Sequence, residues 1–208
     1  MPTPGPVLVR RKIQVPVLPE EFVPRPATLA KLARGLDPAI RLTLVSAGPG
    51  YGKSTTVASY VHHSGARHAW VSLESWDADI PGFMKYLVGS LDRALGGDAL
   101  PRSVERLATL DGDERTWRPL VDGLIEELTY HEDEPLIWVL DDFHAVQDNP
   151  GIRDVVAMLI AYLPERFQLI LVSRHDPDLP LPMLRVRRQL VEIGIPDLRR
   201  SEEHTSEL

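Results

Sequence analysis

Five side chains in this sequence have the types and spacing to act together on a phosphate: Lys53, Ser54, Asp141, Asp142 and Arg174. Lys53 and Ser54 close the run AGPGYGKS at 47–54, which fits the phosphate-loop pattern G-x-x-x-x-G-K-[ST] except that Ala47 stands at the first glycine. Gly48, Gly50 and Gly52 can adopt positive φ, so the backbone N–H groups from Ala47 to Thr55, including Tyr51 and excepting Pro49, can turn toward one centre. A lysine at this place supplies a fixed charge for the β- and γ-phosphates of ATP or the β-phosphate of ADP, and the Ser54 hydroxyl can ligate Mg²⁺ beside them. Ala47 requires only an ordinary φ.

A phosphate loop needs a carboxylate to hold the metal, and LIWVLDDFH at 136–144 ends an apolar run in two of them. Asp141 is expected to hold Mg²⁺ through water, and Asp142 to orient or deprotonate an attacking water. Arg174 ends the apolar run LILVSR, where a guanidinium could register whether a γ-phosphate is present. Arg25, in VPRP ahead of the first helical pattern, is a further candidate for seating the nucleotide. His62 and His63 are neighbours and do not share a helix face, so they do not read as a metal pair. His144 follows the carboxylates closely enough either to influence hydrolysis or to be a packed structural residue.

These groups need strands that end together. Near-continuous apolar runs occur at 41–46, 68–73, 135–142, 167–174 and 189–195, as strands covered on both faces require. Helical patterns alternate with them at 53–63, 81–95, 115–131 and 151–163, and at ATLAKLARGL from Ala27, with Thr28 a possible cap. The alternation predicts an α/β fold, a three-layer α/β/α sandwich around a mainly parallel five-stranded sheet. Trp70, Trp138, Phe83 and Leu87 are expected in the core, and GGDALPRS at 96–103 reads as a surface loop.

Composition limits the alternatives. The chain has 208 residues, no cysteine and a formal charge of −7, which excludes a disulfide framework and argues against a nucleic-acid-binding surface in this segment. The N-terminus lacks an unbroken apolar signal segment, and no run approaches the roughly 20 apolar residues that span a bilayer. A cytoplasmic protein without membrane contact is expected.

Together VPRP, RLTLVSAGPGYGKST, AWVSLESWDAD, VLDDFH and LVSRHDPDLPLPMLRVRRQLVEI resemble the ATPase domain of the large ATP-binding, MalT-like regulators of the LuxR family, within the STAND class of signalling NTPases. The resemblance runs from about Lys12 to Arg199. It implies a switch: an ADP-bound resting form, an ATP-bound form that self-associates, an inducer sensed by helical repeats, and a helix-turn-helix that brings promoter DNA and RNA polymerase as partners. It matches Lys53, Ser54, Asp141, Asp142 and Arg174 to the family's phosphate, metal, catalytic and sensor positions. Phe143 stands where the family often has tyrosine. A stand-alone AAA+-like ATPase is the competing reading, and a small-molecule kinase is disfavoured because no arginine-rich lid is evident.

The expected organisation is an extended, proline-rich surface arm at 1–26, the P-loop NTPase domain at 27–199, and a foreign tail at 200–208. The tail RSEEHTSEL matches one frame of a common sequencing adapter, so the chain is expected to be the front of a longer protein, without the winged helix that follows the fifth strand in such regulators.

Overall fold

The computed structural model describes residues 8–131 and 133–199. Five strands, β1 (Leu42–Ser46), β2 (Arg67–Ser72), β3 (Leu136–Asp141), β4 (Phe167–Ser173) and β5 (Leu190–Ile193), form one sheet in the order β2-β3-β4-β1-β5, with every pairing parallel. The helices are α1 (Pro26–Ala33), α2 (Lys53–Ser64), α3 (Ile80–Ala94), α4 (Pro101–Leu107), α5 (Glu114–Thr129), α6 (Pro150–Tyr162), α7 (Leu181–Val186) and α8 (Ile195–Leu198).

Strand alternation divides the core. Leu136, Trp138 and Leu140 of β3 join the cluster beneath α3, α5 and α6, whereas Ile137 and Val139 join that beneath α1 and α2. Burying each such side chain is worth roughly 1.5–3 kcal/mol, which is why these strands are apolar on both faces. Trp70, Trp138, Phe83 and Leu87 are all fully buried, as expected.

The sheet order brings the chemistry together. β4 lies between β1 and β3, so the segments leaving their C-terminal ends are neighbours across about 10 Å of sheet edge. The chain crosses from β1 to the far edge strand β2, and the crevice at such a reversal is where open α/β sheets bind ligands.

Four local expectations are corrected. Thr28 does not cap α1: Arg25 holds the N-cap position, and the buried Thr28 hydroxyl donates to the carbonyl of Asp197 at 2.7 Å. The segment at 96–103 is not all loop, because α4 starts at Pro101. Its amides on Arg102 and Ser103 donate to the Glu127 carboxylate of α5 at 2.9 Å each. The run expected as a strand to residue 195 ends at Ile193 and gives way to α8. The arm is not simply extended and superficial. Arg10–Ile13 form a 3-10 turn, and Lys12 is buried against Asp77, Glu74 and the ring of Tyr86. Residues 1–7 and the tail at 200–208 lie outside the described residues.

Candidate nucleotide site

β1 stops at Ser46 and α2 starts at Lys53, so the glycine-rich run is the whole connection between them. Gly52 caps α2 with φ 73° and ψ 28°, and Gly50 has φ 82°. An L-residue would pay roughly 1–2 kcal/mol at each, and a side chain on Gly50 would meet only open space. Lys53 is 8% exposed. Its Nζ donates to the Gly48 carbonyl at 2.9 Å, folding the side chain back over the loop. Burial pulls its pKa below the ordinary lysine value, against the nearby charges of Asp142 and Asp141.

Ser54, one residue into the helix, donates its hydroxyl to Oδ1 of Asp141 at 2.9 Å. Asp141 is buried at the end of β3, and its Oδ1 also accepts from the Asp142 amide at 3.0 Å. Desolvation, reinforced by the charge of Asp142, pushes the Asp141 carboxyl up to about 7. A hard cation bound here would reverse that preference, and a hydroxyl beside a buried carboxylate is an all-oxygen donor set of the kind Mg²⁺ accepts.

Asp142 is half-exposed and has left-handed backbone, φ 56° and ψ 38°, uncommon for a residue other than glycine. His144 Nδ1 lies 3.7 Å from Asp142 Oδ1, beyond hydrogen-bond distance, and is buried without a hydrogen-bond partner among the described residues. Burial and the charge of Arg174 hold its pKa below the ordinary histidine value. Arg174 is exposed just past β4, and its charge bears on both Lys53 and His144. Arg25 donates from Nη1 to the Thr56 hydroxyl at 2.8 Å and lies beside Gly52. The Tyr51 ring packs over Gly48, and Ala47 is buried at the root of the loop.

The residues singled out in the sequence thus gather at one sheet edge. His62 and His63 do not take part: His63 Nδ1 contacts its own helix at the Ser59 carbonyl, 2.7 Å away. Two residues of this region give no sequence signal. Gln147, after the 3-10 turn Phe143–Ala145, contacts the ring of His175, the residue after Arg174. A contact between two loops leaves no local pattern to read.

The AAA ATPase domain family matches residues 21–172, a span from Glu21 that takes in the loop, both carboxylates and β4 up to Val172. The chain belongs to that family. As an AAA ATPase domain it is an ATP-binding domain, and its relatives imply a nucleotide site that typically takes Mg²⁺. It is similar to the HTH-type transcriptional regulator MalT of Yersinia pestis (strain Pestoides F), with 31% identity over 192 residues, covering 92% of this chain but 20% of the relative. The chain therefore spans about a fifth of the length of that regulator. Among solved structures it resembles a Walker-type ATPase of Pyrococcus abyssi, with TM-score 0.51 and 14% identity, over 87% of this chain and 56% of that one. It also resembles Drosophila ORC bound to AT-rich DNA and Cdc6, with TM-score 0.50 and 11% identity, over 88% of this chain and 61% of that one. At such identities the likeness speaks for the AAA fold alone. No helix among the described residues is long and apolar enough to cross a membrane.

Proposed function

We propose that this chain is the ATP-dependent switch of a MalT-like transcriptional regulator, active with ATP and Mg²⁺ and reset by slow hydrolysis. The observation that carries the reading is a buried, under-satisfied lysine, Lys53, beside a preformed Ser54–Asp141 pair at the mouth of a parallel sheet. The similarity to MalT across almost the whole chain supports a regulator among AAA domains.

In this reading the backbone N–H groups of Gly48, Gly50, Tyr51, Gly52, Lys53, Ser54 and Thr55 surround the phosphates at the positive end of α2. Pro49 has no N–H to offer and serves as a spacer. Ala47 anchors the loop, and Arg25, held by the Thr56 hydroxyl, helps seat the nucleotide. Lys53 exchanges the Gly48 carbonyl for a phosphate oxygen. Ser54, by its hydroxyl, and Asp141, through water, would hold Mg²⁺, which when bound would neutralise charge on the phosphate oxygens. Asp142, half-exposed beside Asp141, would accept a proton from the attacking water, and Arg174 would reach the γ-phosphate. Driving a two-state protein from 1:99 to 99:1 takes about 5.5 kcal/mol of differential binding. Self-association of this domain, promoter DNA and RNA polymerase would be partners of the regulator as a whole.

The test is turnover. Binding of ATP and ADP that depends on Lys53, with steady-state hydrolysis slower than about 0.01 s⁻¹, is expected of a switch. Sustained hydrolysis at about 1 s⁻¹ or faster would favour a stand-alone AAA+-like ATPase.

A further inference from the structure

Asp142 and Arg174 leave different strands, and their separation matters only if one loop is fixed against the other. Gln147 makes that connection. It lies between the Asp142 turn and α6, is 9% exposed, and places Nε2 3.2 Å from Nδ1 and 3.3 Å from Nε2 of His175. The amide nitrogen therefore lies against the ring of His175, within contact distance of both ring nitrogens. The root of the side chain is fixed as well, because Arg153 of α6 donates from Nη1 to the Gln147 carbonyl at 3.2 Å. The ring of His144, from the Asp142 side, meets His175 edge to face with centroids 6.4 Å apart.

The amide does not improve packing. Its Oε1 is buried with no hydrogen-bond partner among the described residues, a state that costs a protein free energy and that a leucine would avoid. What the amide gains is its hold on His175. Ahead of Arg174 the Ser173 carbonyl accepts from the Ala47 amide at 3.4 Å, and beyond His175 the loop is tied by Asp176 to Arg185 at 3.0 Å and by Asp178 to Arg153 at 3.8 Å. An exposed arginine has many rotamers, so the position of its backbone decides which phosphate oxygens it can reach.

We propose that Gln147 is a positioning residue for Arg174: through His175 it holds the Arg174 loop against the Asp142 loop and so sets how well the site distinguishes a nucleoside triphosphate from a diphosphate. This rests on the assignment of Arg174 to the γ-phosphate made above.

The experiment measures dissociation constants for the Mg²⁺ complexes of ADP and the slowly hydrolysed analogue ATPγS on the whole chain and four variants: Gln147→Leu, Gln147→Glu, His175→Ala, and Gln147→Leu combined with His175→Ala. The preference for ATPγS over ADP should fall about fivefold in Gln147→Leu and in His175→Ala, the worth of one hydrogen bond, and no further in the double variant. Gln147→Glu, which can accept from a ring N–H, should restore it, and ADP affinity should stay within about twofold throughout. Unchanged preference, equal loss of both nucleotides, or additive effects would overturn the proposal. His175 is exposed, so His175→Ala tests the link should Gln147→Leu not fold. If both nucleotides bind the unaltered chain through Lys53 with no preference, this inference fails while the nucleotide-site assignment stands. If neither binds, that assignment fails first.

Discussion

The chain buries two lysines whose surroundings are opposite in kind. Lys12, 3% exposed, is saturated: it pairs with Asp77, lies 3.1 Å from Glu74 and sits 4.6 Å from the centre of the Tyr86 ring. Burial pulls its pKa down, but the hydrogen bonds to Asp77 and Glu74 outweigh it and leave the group above the ordinary lysine value. Among the described residues Lys53 has one hydrogen bond, to a backbone carbonyl, and its pKa is below ordinary. A cation that already has all its partners fastens the arm to the β2–α3 junction. A cation kept short of partners is available to an incoming anion, at some cost to the ligand-free protein.

The largest expected effect follows from the saturated lysine. Lys12→Ala removes the cation paired with the buried Asp77 carboxylate, which keeps its bond from the Glu74 amide, and should destabilise the domain by about 3 kcal/mol in denaturant unfolding. Nucleotide affinity of the folded fraction should not change, and a large loss of affinity would break the division between the two lysines. Lys53→Ala should do the reverse. Calorimetry should show ATP binding weakened at least about 100-fold, or roughly 2.7 kcal/mol, with the melting temperature of the ligand-free protein unchanged or higher. If that variant melts well below the unaltered chain, Lys53 is structural after all.

Asp141→Asn sharpens the same contrast on the acidic side. It removes a buried charge while keeping an acceptor for Ser54, so the ligand-free domain should gain about 1–2 kcal/mol in thermal or denaturant unfolding. Mg²⁺-dependent nucleotide binding should be lost. Equal or lower stability would mean that the carboxylate is better satisfied than its burial indicates.

The smallest effect is a pH dependence. Because the folded-state pKa of Lys12 is raised, its contribution is fully present below the ordinary lysine pKa and is lost as pH climbs through the higher folded value. Comparing unfolding of the unaltered chain with Lys12→Met from neutral to strongly alkaline pH isolates this component, since Tyr86 and the other groups titrate in both. Parallel curves would show that Asp77 and Glu74 do not hold the charge as the geometry implies.

Much of this is legible in one dimension. Strands buried on both faces must be apolar throughout, so β1, β3 and β4 stand out within a residue or so of their ends. Ala47 to Ser54 encode their own turn, because positive φ at Gly50 and Gly52 is a local property. α4 escapes such a reading because its N-terminal amides are satisfied by Glu127, 25 residues beyond Arg102. Thr28 misleads because Pro26, at the first helical position, moves the cap back to Arg25.

The sequence by itself determined the alternating α/β architecture, the turn of the glycine-rich loop and the pair of acids at the end of β3, since each follows from neighbours within a few positions. Tertiary structure alone decided that β4 lies between β1 and β3, which lysine is saturated and which is not, and that Gln147 reaches His175. Those outcomes depend on burial and on contacts between segments distant in the chain, and neither is a property of any local stretch of residues.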